Sequence, residues 1–378
     1  MIKIAKRAEK LTSSPLYVFA KKVKEQEALG KKIISLGLGE PYYDTPEIIK
    51  EAGIRAIGEN KTHYNPAQGS MKLREKIAQR YGVTVDCVSV SSGAKPFLAS
   101  ILWSLVDEGD FVFMAAPYYP PFFQIAQSCG GEVILIDTKP TNFQLQSKEL
   151  EKIFQEKNTR EKKSVIIINS PNNPTGVTYE KEELEKIVMI CRENNVTIIS
   201  DECYSNFSPD PTFSLRQFGD EVIVINSLSK SHAMTGWRIG YVVCSGELNV
   251  TIGRFLENYL GCPCSISDAA ALVALESNQT LPDLIEQRKM VHDWLDEMNI
   301  SYAKSTGGIF IFPDFTELMK KLNLQDTVEL ATYFLEKGMV ATTPGTAFGD
   351  QYVTHLRLSY CLRLDELALA LEKMKQVT

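Results

Sequence analysis

The chain has 378 residues, 44% hydrophobic and 23% charged, with 23 glycines and 17 prolines, a balance that excludes a disordered or fibrous protein and suits one large domain plus a smaller one. Its formal charge of −6 argues against nucleic acid as a main partner, because a binder of phosphate backbone needs a basic face. No apolar run approaches the roughly 20 residues that span a bilayer, and the charged Met1 to Lys10 segment lacks the apolar stretch of a signal peptide, so a cytoplasmic protein without a membrane partner is expected.

In chain order, a helix is predicted over Tyr17 to Leu29. The Gly37 to Pro41 stretch that follows has two glycines but neither the third glycine nor the preceding strand of a dinucleotide loop. From Val83 to Cys244, β-branched runs recur between helical patterns: Phe111 to Ala115, Glu132 to Ile136, Val165 to Asn169, Val196 to Ser200 and Glu221 to Asn226. That rhythm predicts βαβ units and a mainly parallel sheet covered on both faces. The helix Tyr179 to Asn194 places Leu184, Ile187, Val188 and Cys191 on one side. After Ser265 the pattern turns to long amphipathic helices, Leu281 to Met298 and Leu364 to Val377, interrupted by strand-like runs at Gly308 to Phe312 and His355 to Ser359. This predicts a large domain over 46–270 and a smaller α+β domain formed by 1–45 and 271–378.

The eight cysteines have neither disulfide nor metal spacing and read as reduced thiols, with Cys262-Pro263-Cys264 an incidental pair. His63, His232, His292 and His355 read as structural, so no metal is expected.

Lys230 follows a strand, with Ser227 and Ser229 before it and Arg238 after it. An amine flanked by hydroxyls and a guanidinium suits a phosphorylated aldehyde cofactor, although the spacing alone fits a solvated loop lysine equally. Asp201, at a strand end, reads by itself as a cap or loop residue. The Asn169-Ser170-Pro171-Asn172-Asn173-Pro174-Thr175-Gly176 stretch reads as a turn, and Tyr119 reads equally as a core aromatic. Gly93, Ala94 and Lys95 open a predicted helix whose free N–H groups can bind an anion. Arg357 lies on a strand-like run where its planar guanidinium can hold a carboxylate in a bidentate pair, while Arg363 lies outside that run and reads as solvated.

Taken together and in order, these segments resemble class I and II aminotransferases, the fold-type I pyridoxal-phosphate enzymes. Besides the lysine motif, the resemblance rests on Ser91 to Lys95, Ala116 to Tyr119, Asn169 to Gly176 and Ser200 to Tyr204, and it covers essentially the whole chain. It implies an α/β fold with a mainly parallel seven-stranded sheet between helices, pyridoxal 5'-phosphate as cofactor, and amino acid and 2-oxo acid substrates. It also implies a Schiff base on Lys230, Asp201 at the pyridine nitrogen, and Tyr204 and Asn173 at the phenolic oxygen. Tyr119 would stack on the ring, and Gly93, Ala94, Lys95, Ser227, Ser229 and Arg238 would hold the phosphate. Arg357, with Gly39 and Asn173, would hold the substrate carboxylate. Tyr64, in Thr62 to Pro66, matches a tyrosine that reaches the phosphate of a neighbouring subunit, which implies a homodimer. Elimination, cyclisation or oxidation on the same fold stay open, because carbanion fate depends on the side-chain pocket. A non-catalytic binding protein of this fold is disfavoured by the intact Lys230, Asp201 and Arg357. The stiff, apolar Tyr118 to Phe123 stretch leaves the substrate side chain open, and no residue for a distal carboxylate stands out.

Overall fold

The computed structural model describes residues 3–9, 11, 15–277 and 282–378. Its strands are β1 Ile34–Ser35, β2 Val88–Ser91, β3 Phe111–Ala116, β4 Glu132–Asp137, β5 Ser164–Asn169, β6 Val196–Asp201, β7 Ile223–Ser227, β8 Gly240–Val243, β9 Phe310–Ile311, β10 Val340–Ala341, β11 Thr343–Pro344 and β12 Leu356–Ser359.

Seven strands form one sheet in the order β2-β8-β7-β6-β5-β3-β4. The pairings from β7 through β6, β5 and β3 to β4 are parallel, whereas β8 runs antiparallel to both β2 and β7. Every residue of β3, β5, β7 and β8 is buried, because helices cover both faces and leave no solvated side on which polar residues could alternate. Helix Lys181–Glu193 shows how that cover is made: Leu184, Ile187, Val188 and Cys191 recur at helical spacing and are buried. Each fully buried Val, Ile or Leu adds about 1.5–3 kcal/mol relative to exposure. At the sheet edge, β4 carries exposed Glu132 and Asp137, charges that discourage pairing with another strand.

A second apolar cluster holds Trp294, Phe315, Phe334, Leu367 and Leu371 together with Phe19 and Leu36 from the N-terminal segment. It surrounds the antiparallel sheet β11-β12-β9 and the parallel pair β1-β10.

Several strand and helix limits differ from the sequence reading. β7 starts at Ile223 because the Val222 N–H closes a turn on the Gly219 carbonyl, and it runs on to include Ser227. The predicted run Gly308 to Phe312 shrinks to Phe310–Ile311, since Gly308 sits at φ +65 and its N–H bonds to the Phe207 carbonyl. His355 forms only an isolated bridge, to Asp314, ahead of β12. The predicted start of a helix at Leu281 lies outside the described residues; the helix there runs Ile285–Glu297.

Candidate active site

Three parallel strands end on one crest, the edge where open α/β sheets bind ligands. β5 ends at Asn169, β6 at Asp201 and β7 at Ser227, and the register sets Asn169 opposite Asp201. Asn169 locks this edge. Its Nδ2 donates to the Asp201 carbonyl at 3.1 Å and its Oδ1 accepts from the Asn173 N–H at 2.8 Å, so the turn carrying Asn173 is tied to the end of β6. The same turn needs Gly176: at φ +70, a Cβ there would fall 2.0 Å from the Phe310 carbonyl oxygen.

Ser227 caps the short helix Leu228–Ser231, accepting from the Ser229 N–H at 3.0 Å, and its hydroxyl lies 2.8 Å from that of Ser229. This turn places Lys230 in the cavity, where Nζ donates to the Gly39 carbonyl. Burial draws the Lys230 ammonium below its ordinary pKa, against the opposing pull of Cys203 and Glu40. Burial pushes the Asp201 carboxyl upward, opposed by hydrogen bonds from Cys203, whose N–H lies 3.0 Å from Oδ1. Tyr204 is buried edge-on to Phe310, 5.7 Å between ring centres, and burial raises its phenol well above the ordinary range while Arg357 pulls it down.

Arg357 enters from β12. Its Nη1 donates to Asn173 Oδ1 at 3.0 Å and its Nη2 to the Gly37 carbonyl at 2.8 Å. The guanidinium carbon lies 4.0 Å from the centre of the Phe310 ring and 4.9 Å from that of Phe348. Burial lowers its pKa to about 10, still protonated at neutral pH, and its Nε is buried without a hydrogen-bond partner. An orphaned donor on a buried cation gains from an anionic acceptor.

A third wall is built from backbone. Gly93 stands at φ +96, and a Cβ there would lie 2.6 Å from Arg238 Nη2. Arg238 itself holds φ +54, a conformation that costs a non-glycine residue energy and marks functional turns. Its Nη1 donates to the Thr235 carbonyl at 2.9 Å. Beside it begins helix Lys95–Leu105; Pro96 has no N–H and the Phe97 and Leu98 N–H groups bond to the Ala94 carbonyl, so the N–H groups of Ala94 and Lys95 are the ones that lie ahead of the helical ladder.

These walls enclose two adjoining lobes. One, of about 400 Å³, is lined by Ala94, Lys95, Tyr119, Asn173, Asp201, Tyr204, Ser227, Ser229, Lys230 and Arg238. The other, of about 370 Å³, contains Gly39 and Arg357 and shares Lys95, Tyr119, Asn173, Tyr204 and Lys230 with the first. Of the residues singled out in the sequence, Tyr64 stands apart: it is 97% exposed and lines a surface cleft with Cys262 to Ile266. Arg363 is exposed and paired with Asp365 and Glu366. His232 lies 2.8 Å from the Ser231 hydroxyl and His292 3.0 Å from that of Ser305. Sequence reading missed Gly37, Thr343, Phe310 and Phe348, which seat Arg357, because a carbonyl acceptor and a ring beneath a guanidinium leave no local signature. Asn169 could have been found, as an amide closing a β-branched run just ahead of a proline.

A family model described as aminotransferase class I and II matches residues 31–374. The chain belongs to that family. This aminotransferase is 37% identical to a probable aspartate/prephenate aminotransferase of Aquifex aeolicus, over 99% of its own length and 98% of the relative's. It is 32% identical to the aspartate aminotransferase of Bacillus subtilis, again over 99% and 98% of the two chains. Among solved structures it resembles the aspartate aminotransferase of Thermus thermophilus with maleate, with a TM-score of 0.90, 28% identity and 100% of both chains covered. The enzyme transfers amino groups, and its cofactor is pyridoxal phosphate. The site fits that cofactor: a buried carboxyl at Asp201 suits a protonated ring nitrogen, and the Gly93 cradle, kept open by the lack of a Cβ, suits a phosphate.

Proposed function

We propose that the lobe at Asp201 holds pyridoxal phosphate and the lobe at Arg357 holds the α-carboxylate of an L-amino acid or its 2-oxo acid counterpart. The observation that carries this reading is that Lys230 lines both lobes, so a single amine faces the cofactor and the substrate Cα. When bound, the cofactor supplies an aldehyde and an electron-withdrawing ring that takes up the electron pair of the Cα–H bond. Lys230 would carry the aldehyde and, once displaced by substrate, would take the proton from Cα and deliver it to the cofactor's C4′ carbon; burial favours the neutral amine that this transfer needs. Asp201 holds the ring-nitrogen proton. Tyr204 and the Asn173 amide nitrogen, whose oxygen partner is engaged by Arg357, donate to the phenolic oxygen. Ser227, Ser229, Arg238 and the backbone of Gly93, Ala94 and Lys95 hold the phosphate, and Tyr119 stacks on the ring. Gly39 flanks the carboxylate site, where a Cβ would strike Phe310 at 2.7 Å.

Aspartate and prephenate, the substrates in the Aquifex relative's name, each bring a second carboxylate. Two further lysines line the second lobe, Lys24 and Lys95; Lys95, which lines both lobes with its amine 5.9 Å from the centre of the Tyr119 ring, is the one we assign to that carboxylate. Borohydride reduction of the holoenzyme should fix the cofactor covalently, and peptide mapping should find it on Lys230. An adduct on Lys95 or any other lysine would overturn the assignment.

The same reading takes 46–270 as the large domain and 1–45 with 271–378 as the small one, the division falling within helix Ser265–Glu276. It takes the enzyme as cytoplasmic, which its eight free cysteines support. It also takes the working unit as a homodimer in which Tyr64, exposed and away from its own chain's lobes, completes the partner's phosphate site. Mixing Lys230→Ala subunits with Tyr64→Phe subunits tests this, since a heterodimer carries both lesions in one site and leaves the other intact. Wild-type phosphate affinity is expected in half the heterodimer sites, whereas no rescue after verified subunit exchange would exclude the shared site.

A further inference from the structure

Glu202 is the charged residue of the Asp201 to Tyr204 turn that the reaction leaves unused. Asp201 and Tyr204 line the cofactor lobe; Glu202 lies between them in sequence and lines a separate cavity of about 330 Å³, with only 4% of its surface exposed. There its Oε1 accepts three hydrogen bonds, from the Ser200 hydroxyl at 3.0 Å, the Ser214 hydroxyl at 2.9 Å and the Leu215 N–H at 2.9 Å. Its main chain continues the sheet, with the N–H donating to the Ile225 carbonyl at 2.9 Å, and its carbonyl accepts from the Ser205 N–H at 3.0 Å.

One carboxyl oxygen therefore ties the strand residue just before Asp201 to the loop residues that follow Tyr204 in the fold. The turn between these anchor points is the one that presents both side chains to the cofactor. The titratable and charged groups facing Glu202 are Asp201 and Cys203 on the turn, Arg80 and Tyr81 from helix Met71–Tyr81, Tyr241 from β8, and Arg216 and Asp220 beyond the loop. Arg216 spends its Nη1 on the carbonyls of Asp220 and Val222, at 2.9 and 2.6 Å. The Glu202 carboxyl is thus held by neutral donors. Burial pushes it up to about 7 against the hydrogen bonds from Leu215, Ser214 and Ser200. A residue needed only to fill space there would be better apolar, because burying a carboxyl is costly.

We propose that Glu202 is a positioning residue, which clamps Ser200 to Ser214 and Leu215 and so keeps Asp201 and Tyr204 aimed into the cofactor lobe. This rests on the role given to Asp201 above, and the test separates the two. In the holoenzyme, Glu202→Ala should lower kcat about tenfold with KM within about twofold, a loss confined to the chemical step. It should also shift the pH midpoint of the bound cofactor's visible absorbance, which a defect in stability alone would leave in place. Glu202→Gln keeps the Oε1 acceptor and should restore both readouts to within about twofold of wild type. Placed on an Asp201→Ala background, Glu202→Ala should add no more than about threefold, because the part of its effect that runs through Asp201 is gone and only the part through Tyr204 remains.

Equal losses on both backgrounds, a change in KM alone, or glutamine as damaging as alanine would each overturn the proposal. Should Glu202→Ala fail to fold, Ser214→Ala removes one of the three donors and should lower kcat about threefold in the same pattern; an unaltered kcat and absorbance midpoint there would overturn it as well. If Asp201→Ala were itself fully active, the role of Asp201 would be the part in error.

Discussion

Replacing Asp201 with alanine should leave the cofactor bound and cut kcat roughly 100-fold, about 3 kcal/mol of transition-state stabilisation. The phosphate anchors proposed at Ser227, Arg238 and the start of helix Lys95–Leu105 do not involve Asp201, so binding should persist while the ring nitrogen would lose the charge proposed to hold its proton. Folding should not suffer. Without the ring beside it, the Asp201 carboxyl has a pKa raised above 3.8 by burial, so the folded chain binds more protons than the unfolded one just above that pH. Stability from this group is therefore full below about 3.8 and falls as pH rises through its folded pKa. The apoprotein of Asp201→Ala should consequently be at least as stable as wild type at pH 7, by thermal unfolding. The ratio of cofactor absorbance to protein, measured beside steady-state kinetics, checks the separation of binding from turnover. Activity within about threefold of wild type would contradict the electron-sink role.

How much of this was legible in the sequence depends on the range of the interaction. The parallel strands were visible because helices on both faces force unbroken runs such as Val165 to Ile168, and their ends were located to within a residue or two. Taken singly, Lys230 reads equally as a loop lysine, Asp201 as a cap or loop residue and Asn173 as part of a turn, while Arg357 reads as a strand arginine able to hold a carboxylate. It took the ordered set of segments to single them out. The antiparallel insertion of β8 between β2 and β7 was not legible, since Gly240 to Val243 reads like any buried strand and direction is decided by pairing partners far along the chain. The same limit hid the seat of Arg357. Gly37, Thr343, Phe310 and Phe348 come from separate segments, and the Gly39 carbonyl meets Lys230 across 191 positions of sequence.

Arg357→Lys should raise KM and lower kcat for every amino-acid substrate, reducing kcat/KM roughly thirtyfold, the equivalent of about 2 kcal/mol lost with one charge-assisted hydrogen bond. Lysine keeps the charge but not the fork. The guanidinium presents Nη1 and Nη2 to Asn173 and Gly37 with its carbon 4.0 Å from the centre of the Phe310 ring, contacts that fix its orientation, and the buried Nε has no partner. An ammonium would fall short of both acceptors and aim the carboxylate poorly, and misaimed binding costs turnover as well as affinity. Because the α-carboxylate is common to all substrates, the loss should be the same for aspartate and for a neutral amino acid. Lys95→Met is the contrasting variant: it should weaken aspartate and spare the neutral substrate. Steady-state kinetics of both variants on both substrates decides the matter. An unchanged Arg357→Lys enzyme would move the carboxylate site elsewhere, and equal losses on the two substrates in Lys95→Met would remove Lys95 from side-chain recognition.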